Sequence, residues 1–119
     1  MRYFVSYARR DNSTERLREI GAFLSCTASD VYIDDLEPHL SGADRVQVVV
    51  DALALADVFV AVESSNYLKS EWTRWEFETA FRMGIEVVAL RSTSTLVRAA
   101  DLDWPWPNYS LTGGAAHPQ

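Results

Sequence analysis

Short apolar runs alternate along the chain with longer stretches whose apolar residues recur every three or four positions. Tyr3-Phe4-Val5-Ser6-Tyr7 is a β-rich run that passes into the polar loop Ala8-Arg9-Arg10-Asp11-Asn12. Residues 13–24 carry Leu17, Ile20, Phe23 and Leu24 at helical spacing, with Asp11, Asn12 or Ser13 available as the cap. Val31-Tyr32-Ile33 reads as a second strand, closed by Asp34-Asp35. After a compact loop broken by Pro38, Ser41 with Asp44 three residues on resembles a capping box. It opens a helix to about Ala56 whose apolar residues are Val46, Val49, Val50, Leu53 and Ala56. Val58-Phe59-Val60-Ala61-Val62 is continuously apolar, as expected of a central parallel strand covered on both faces. Residues 85–90 repeat that character. Beyond Arg91 the period is lost; Asn108 to Leu111 offers a short edge strand, and residues 113–119 read as a frayed tail after a single domain over 1–112.

The most specific stretch lies between the third and fourth strands. Ser70 is a good N-cap, Glu71 complements the positive end of the helix dipole, and Gly84 suits the left-handed position past the last turn. At about 100° per residue, Arg74, Glu78 and Arg82 share one arc, and Trp72, Trp75, Phe77, Ala80, Phe81 and Met83 fill the rest. Glu76 projects between Ala80 and Met83, in the apolar part. A carboxylate there loses hydration unless it is paired, so it serves either as a structural hydrogen-bond hub or as a site residue with a shifted pKa.

Strand, helix, strand, helix, strand, helix, strand is the pattern of an open α/β sheet with right-handed crossovers and helices on both faces. The expected order is flavodoxin-like, 2-1-3-4, with room for a short fifth edge strand. Ligands of such sheets bind beyond the carboxyl ends of the strands where the order reverses, here between the first and third. Residues 6–12 and 63–70 meet there, with Asp34 and Asp35 beside them.

Composition narrows the chemistry. The 119 residues carry a formal charge of −6, which gives no footprint for nucleic acid or an anionic membrane, so neither is an expected partner. One cysteine, Cys26, forms no internal disulfide, and no apolar run of spanning length is present; a cytoplasmic location is expected. Cys26 reads as a packing residue at a helix end, since His39 and His117 lack a carboxylate at triad spacing. Glycine-rich dinucleotide and triphosphate loops are absent. Asp34-Asp35 could hold a hard cation, as in phosphoacceptor domains, but no lysine ends the fourth strand to complete that site. Arg9 and Arg10 sit where a bidentate clamp on phosphate is useful, or where a solvated turn pairs with Asp11.

Taken together, Phe4-Val5-Ser6-Tyr7-Ala8-Arg9-Arg10-Asp11, Val31-Tyr32-Ile33-Asp34 with its loop to Gly42, Ala56-Asp57 before the third strand, and Ser65-Asn66-Tyr67-Leu68-Lys69-Ser70-Glu71-Trp72 with Glu76 resemble a Toll/interleukin-1 receptor (TIR) domain. The resemblance covers roughly residues 2–91 and implies a flavodoxin-like fold. It further implies an NAD glycohydrolase or cyclase, cleaving the nicotinamide–ribose bond to ADP-ribose or a cyclic ADP-ribose isomer in immune or antiphage signalling, with NAD as substrate and no separate cofactor. Glu76 matches the glutamate that cleaves the bond. Trp72 would wall the site, Arg9 and Arg10 would hold the pyrophosphate, and Ser6, Tyr7 and Asp34 would line the ribose side. Self-association into a homo-oligomer is expected, with the Pro38 loop and the Trp104 to Pro107 segment as contacts. Other members are scaffolds that bind only TIR domains. Nucleoside deoxyribosyltransferases, of similar shape, also place a glutamate after a central strand.

Overall fold

A computed structural model describes residues 1–37, 44–91 and 95–98. Strands β1 (Arg2–Ser6), β2 (Asp30–Ile33), β3 (Val58–Val62), β4 (Glu86–Arg91) and β5 (Thr95–Arg98) form one sheet in the order β2-β1-β3-β4-β5. The first four are parallel, and β5 runs antiparallel to β4. The flavodoxin-like order read from the sequence holds. The fifth strand is not where the sequence suggested it: it follows β4 directly at Thr95–Arg98, whereas residues 108–111 lie outside the described residues. Four residues alternate too briefly to register as a period, and an edge strand needs only one neighbour.

The helices α1 (Thr14–Leu24), α2 (Arg45–Ala54) and α3 (Glu71–Arg82) cover both faces. Period two along β1 explains which face meets which helix. Tyr3, Val5 and Tyr7 pack with Leu17, Ile20 and Leu24 of α1, joined by Val58, Val60, Val62 and Leu90. Phe4 points the other way, to Phe59, Val87, Val49 and Leu53 of α2, and Phe77 and Ala80 of α3. Ser6, two residues beyond Phe4, therefore lies on the α3 face. Register sets Phe4 opposite both Tyr32 and Phe59, and its ring stacks on both, at 5.2 and 5.7 Å between centroids. Phe77 meets Phe59 edge-on at 6.2 Å and anchors α3 to the sheet.

The caps follow the side chains. Ser13 Oγ accepts from the Arg16 amide and Ser70 Oγ from the Thr73 amide, as their sequence positions suggest. For α2 the cap is Asp44, whose Oδ1 accepts from the Val46 and Gln47 amides, so the helix starts at Arg45 and needs no box built on Ser41, which is outside the described residues. Helix α3 ends in a Schellman turn: the Ile85 amide donates to Ala80 O, the Gly84 amide to Phe81 O, and Gly84 takes φ +74°. Glu78 pairs with both Arg74 and Arg82 on the outer arc. Two of the apolar residues at helical spacing, Val46 and Met83, are exposed; they stand in the first turn of α2 and at the C-cap of α3. Cys26 is also exposed, its Sγ turned to Ala22 O, rather than packed. No helix among the described residues is long and apolar enough to cross a membrane.

Candidate active site

A cleft of about 250 Å³ opens at the carboxyl ends of the strands, lined by Tyr7, Arg9, Asp34, Arg45, Trp72 and Glu76. Each arrives from a different turn of chain. Tyr7 and Arg9 follow β1, and Asp34 begins the 3-10 turn after β2. Arg45 is the first residue of α2, while Trp72 and Glu76 are one turn apart on α3. The volume is below the usual range of roughly 300–1,000 Å³ for ligand pockets, so the cleft is a small one.

Glu76 forms the floor. It is 4% exposed, and its Oε1 accepts from Ser6 Oγ at 2.8 Å; Ser6 Oγ in turn accepts from the Tyr67 hydroxyl at 2.9 Å. Burial pushes the Glu76 carboxyl up to about 8, against the opposing pull of the Ser6 hydroxyl. Nearby Asp34 adds to the rise, and the Trp72 indole N–H and the Arg45 charge work against it. The two sequence readings of Glu76, hydrogen-bond hub and shifted acid, thus coexist in one group. The Tyr67 phenol, wholly buried, is pushed well above its ordinary range and stays protonated.

The walls are held by ion pairs. Arg9 grips Asp35 with Nε and Nη2, at 3.0 and 2.7 Å, and its Nη2 stands 3.9 Å from Asp34. Burial raises the Asp35 carboxyl, but hydrogen bonds from Arg9 and Tyr7 outweigh it and leave the group below the usual range. Arg45 Nη2 lies 2.9 Å from Asp34 Oδ2, while Asp34 Oδ1 accepts from the Tyr32 hydroxyl at 2.8 Å. The same guanidinium sits over the Trp72 ring, 5.0 Å from its centroid. Tyr7 OH accepts from the Asp35 amide at 2.9 Å, and burial raises its pKa as well. Asp34 and Asp35, the carboxylate pair that suggested a cation, thus each face an arginine.

Five of the residues singled out in the sequence therefore share the cleft: Tyr7, Arg9, Asp34, Trp72 and Glu76. Ser6 does not reach it; at 1% exposure it stands behind Glu76. Arg10 is exposed and outside the lining, because the 3-10 turn Arg9–Asp11 sends adjacent side chains in different directions. Trp75 packs against Trp72 at 4.9 Å and belongs with the apolar residues around the core. The segment 63–70 lines the cleft with none of its described residues but braces it. The Asn66 backbone and side-chain amides both donate to Asp11 at 2.7 Å, tying the β3 exit to the β1 exit.

Arg45 was not foreseen. Its signal was a basic residue directly after the cap Asp44, where the helix dipole disfavours positive charge, so a partner elsewhere had to hold it. Tyr67 lay inside the recognised motif without a role, and nothing local marks its hydroxyl as buried. Among curated proteins none matches the chain. The TIR domain profile matches residues 4–108, nearly the whole sequence, and agrees with the sheet order and with the segment carrying Trp72 and Glu76; the chain belongs to the TIR domain family.

Proposed function

We propose that this TIR domain cleaves the nicotinamide–ribose bond of NAD, releasing nicotinamide with ADP-ribose or a cyclic ADP-ribose isomer, in cytoplasmic immune or antiphage signalling. The observation that carries the reading is the Glu76 carboxyl, nearly sealed from water, at the floor of a cleft walled by the Trp72 indole. The ribose–nitrogen bond breaks with its electron pair leaving on nicotinamide, which departs neutral, and positive charge builds on the sugar. A carboxylate beside that carbon or on the ribose hydroxyls stabilises the charge as it forms. Water then adds and loses its proton, or a ring nitrogen of the adenine closes the cycle. Glu76 must be ionised for this role, and a bound pyridinium cation favours the ionised form. Arg9 is the cleft arginine that would meet the pyrophosphate, in exchange for its present pairing with Asp35, with Arg45 beside it.

A second reading, a scaffold acting only by TIR–TIR association, rests on the pairing of Arg9 with Asp35 and of Arg45 with Asp34 and Trp72, which leaves the cleft's charged groups occupied by one another. In either reading the chain works as a homo-oligomer. The segments suggested for that contact, around Pro38 and from Trp104 to Pro107, lie outside the described residues. Purified protein incubated with NAD, with nucleotides separated afterwards, decides between the readings. Nicotinamide release by the wild type, rising with protein association and absent from a folded Glu76→Gln variant, supports the enzyme. Intact NAD across a concentration range in which light scattering shows self-association leaves the scaffold. Running 2′-deoxynucleosides in parallel tests the deoxyribosyltransferase alternative.

A further inference from the structure

Beneath the cleft, three side chains from three elements meet in single file. Tyr67 comes from the 3-10 turn after β3, Ser6 from the end of β1 and Glu76 from α3. The Tyr67 hydroxyl donates to Ser6 Oγ and Ser6 Oγ donates to Glu76 Oε1. A serine hydroxyl has a single proton on a free rotor and can aim it at any nearby acceptor. Here the Tyr67 proton occupies one lone pair of Ser6, which leaves the Ser6 proton for Glu76. The order is fixed when Glu76 is ionised, because a carboxylate only accepts: Ser6 must then give its one proton to Oε1 and take the Tyr67 proton on a lone pair. Tyr67 is itself pinned: its amide donates to Ser64 O at 3.2 Å and its carbonyl accepts from Thr73 Oγ1.

We infer that Tyr67 and Ser6 are positioning residues, a one-way hydrogen-bond relay that holds Glu76 Oε1 in place and favours its carboxylate form from the side opposite the substrate. The inference rests on the reading of Glu76 as the group that meets the ribose, and assigns Ser6 to the carboxylate rather than to the sugar. Other groups acting on Glu76 stay in place when the relay is cut. From the turn after β2, Asp34 opposes ionisation. Arg45 of α2 and the Trp72 indole of α3 favour it, with Tyr7 and Arg9 from the β1 exit and the Tyr32 phenol of β2 around them. Among the described residues, Ser6 is the buried hydroxyl that donates to Glu76 Oε1.

The test is a carboxyl titration of the whole chain labelled with ¹³C-glutamate, the Glu76 signal being assigned by its loss in Glu76→Gln. Ser6→Ala should move the Glu76 midpoint to higher pH by about one unit, leaving about tenfold less carboxylate at pH 7. Tyr67→Phe, which removes a single oxygen, should move it the same way by less, since Ser6 can still donate but is no longer aimed. The double variant should match Ser6→Ala alone, because both changes act through one bond. Ser6→Thr should restore the wild-type midpoint. The pH profile of kcat/KM for NAD should follow the same shifts, which a merely structural defect would not produce. Unmoved midpoints, or shifts that add in the double variant, overturn the relay. Shifted midpoints in a protein that releases no nicotinamide uphold the relay and reject the NAD reading. If Ser6→Ala does not fold, Tyr67→Phe and Ser6→Thr carry the test.

Discussion

Arg45 rests on Trp72. The guanidinium carbon lies 5.0 Å from the centre of the indole while Nη2 reaches Asp34 Oδ2 at 2.9 Å. A cation from the chain therefore occupies the aromatic face that the proposed reading gives to the pyridinium ring of NAD. Arg45→Ala should uncover that face and leave Asp34 without its closest cation, so the 1-methylnicotinamide (ring N-methyl pyridinium) cation should bind about three- to tenfold more tightly, as a cation–π contact of roughly 1 kcal/mol implies. Quenching of tryptophan fluorescence measures it, with Trp72→Phe as the control that identifies the indole. Weaker binding in Arg45→Ala would show instead that the arginine helps to hold the ligand.

On the proposed reading Glu76 would set the pH dependence of activity, and its raised pKa makes stability depend on pH as well. If Glu76 acts ionised as proposed, then with its carboxyl pushed up to about 8 kcat/KM for NAD should rise with pH and level off above that point. A rate already flat from pH 6 upward would mean that another group controls ionisation.

Stability runs the opposite way. The folded pKa of Glu76 lies above the ordinary 4.5, so between those values the native state binds more protons than the unfolded chain and loses stability as pH rises. Glu76→Gln has no such proton to lose. Its stability relative to the wild type should increase across pH 4.5–8 by an amount on the order of a few kcal/mol, read from urea midpoints at each pH. A constant difference would place the carboxyl in contact with water.

Arg9 and Arg10 are neighbours in sequence and unlike in position. Arg9→Ala should raise KM for NAD several-fold with little change in kcat, the mark of binding shared by ground and transition states. Arg10→Ala should leave KM within about twofold, as an exposed side chain outside the cleft warrants. Equal effects of the two substitutions would contradict this division.

Gly84→Ala isolates a backbone cost. Added Cβ meets nothing within 4 Å, but φ is +74°, so the substitution should destabilise by roughly 1 kcal/mol through conformation alone. Gly84→Asn, which tolerates that region better, should lose less. Chemical denaturation of the three proteins at one pH suffices.

Most of the scaffold was legible because its signals are local. The apolar run of β3, the spacing in α1 and α3, and the Ser13, Ser70 and Gly84 caps all act within a few residues. Glu76 stood out because one carboxylate interrupts an apolar arc. What could not be read depends on distance in the chain. Ser6 and Glu76 are 70 residues apart, and only the strand period together with the packing of α3 on β1 decides that they touch. Arg9 and Arg10 have the same chemistry, and the turn that separates them carries no distinguishing residue. Arg45 finds both its partners across the cleft, so its own helix shows only a charge at the unfavourable end.

Phe4 lends the two sides of this sheet different freedoms. Under α1 the contacts are largely aliphatic, and Val5, Val60, Leu17 and Ile20 can trade methyl groups with one another. Under α2 and α3, Phe4 supports Tyr32 by stacking, and Tyr32 in turn holds Asp34 through its hydroxyl. A smaller ring or a branched aliphatic at position 4 would tilt that phenol and shift a cleft carboxylate without touching the cleft. Mutational drift is therefore lopsided: the Val5, Val60, Leu17 and Ile20 contacts absorb change as ordinary repacking, while the Phe4–Tyr32 stack transmits it to the position of Asp34 in the cleft.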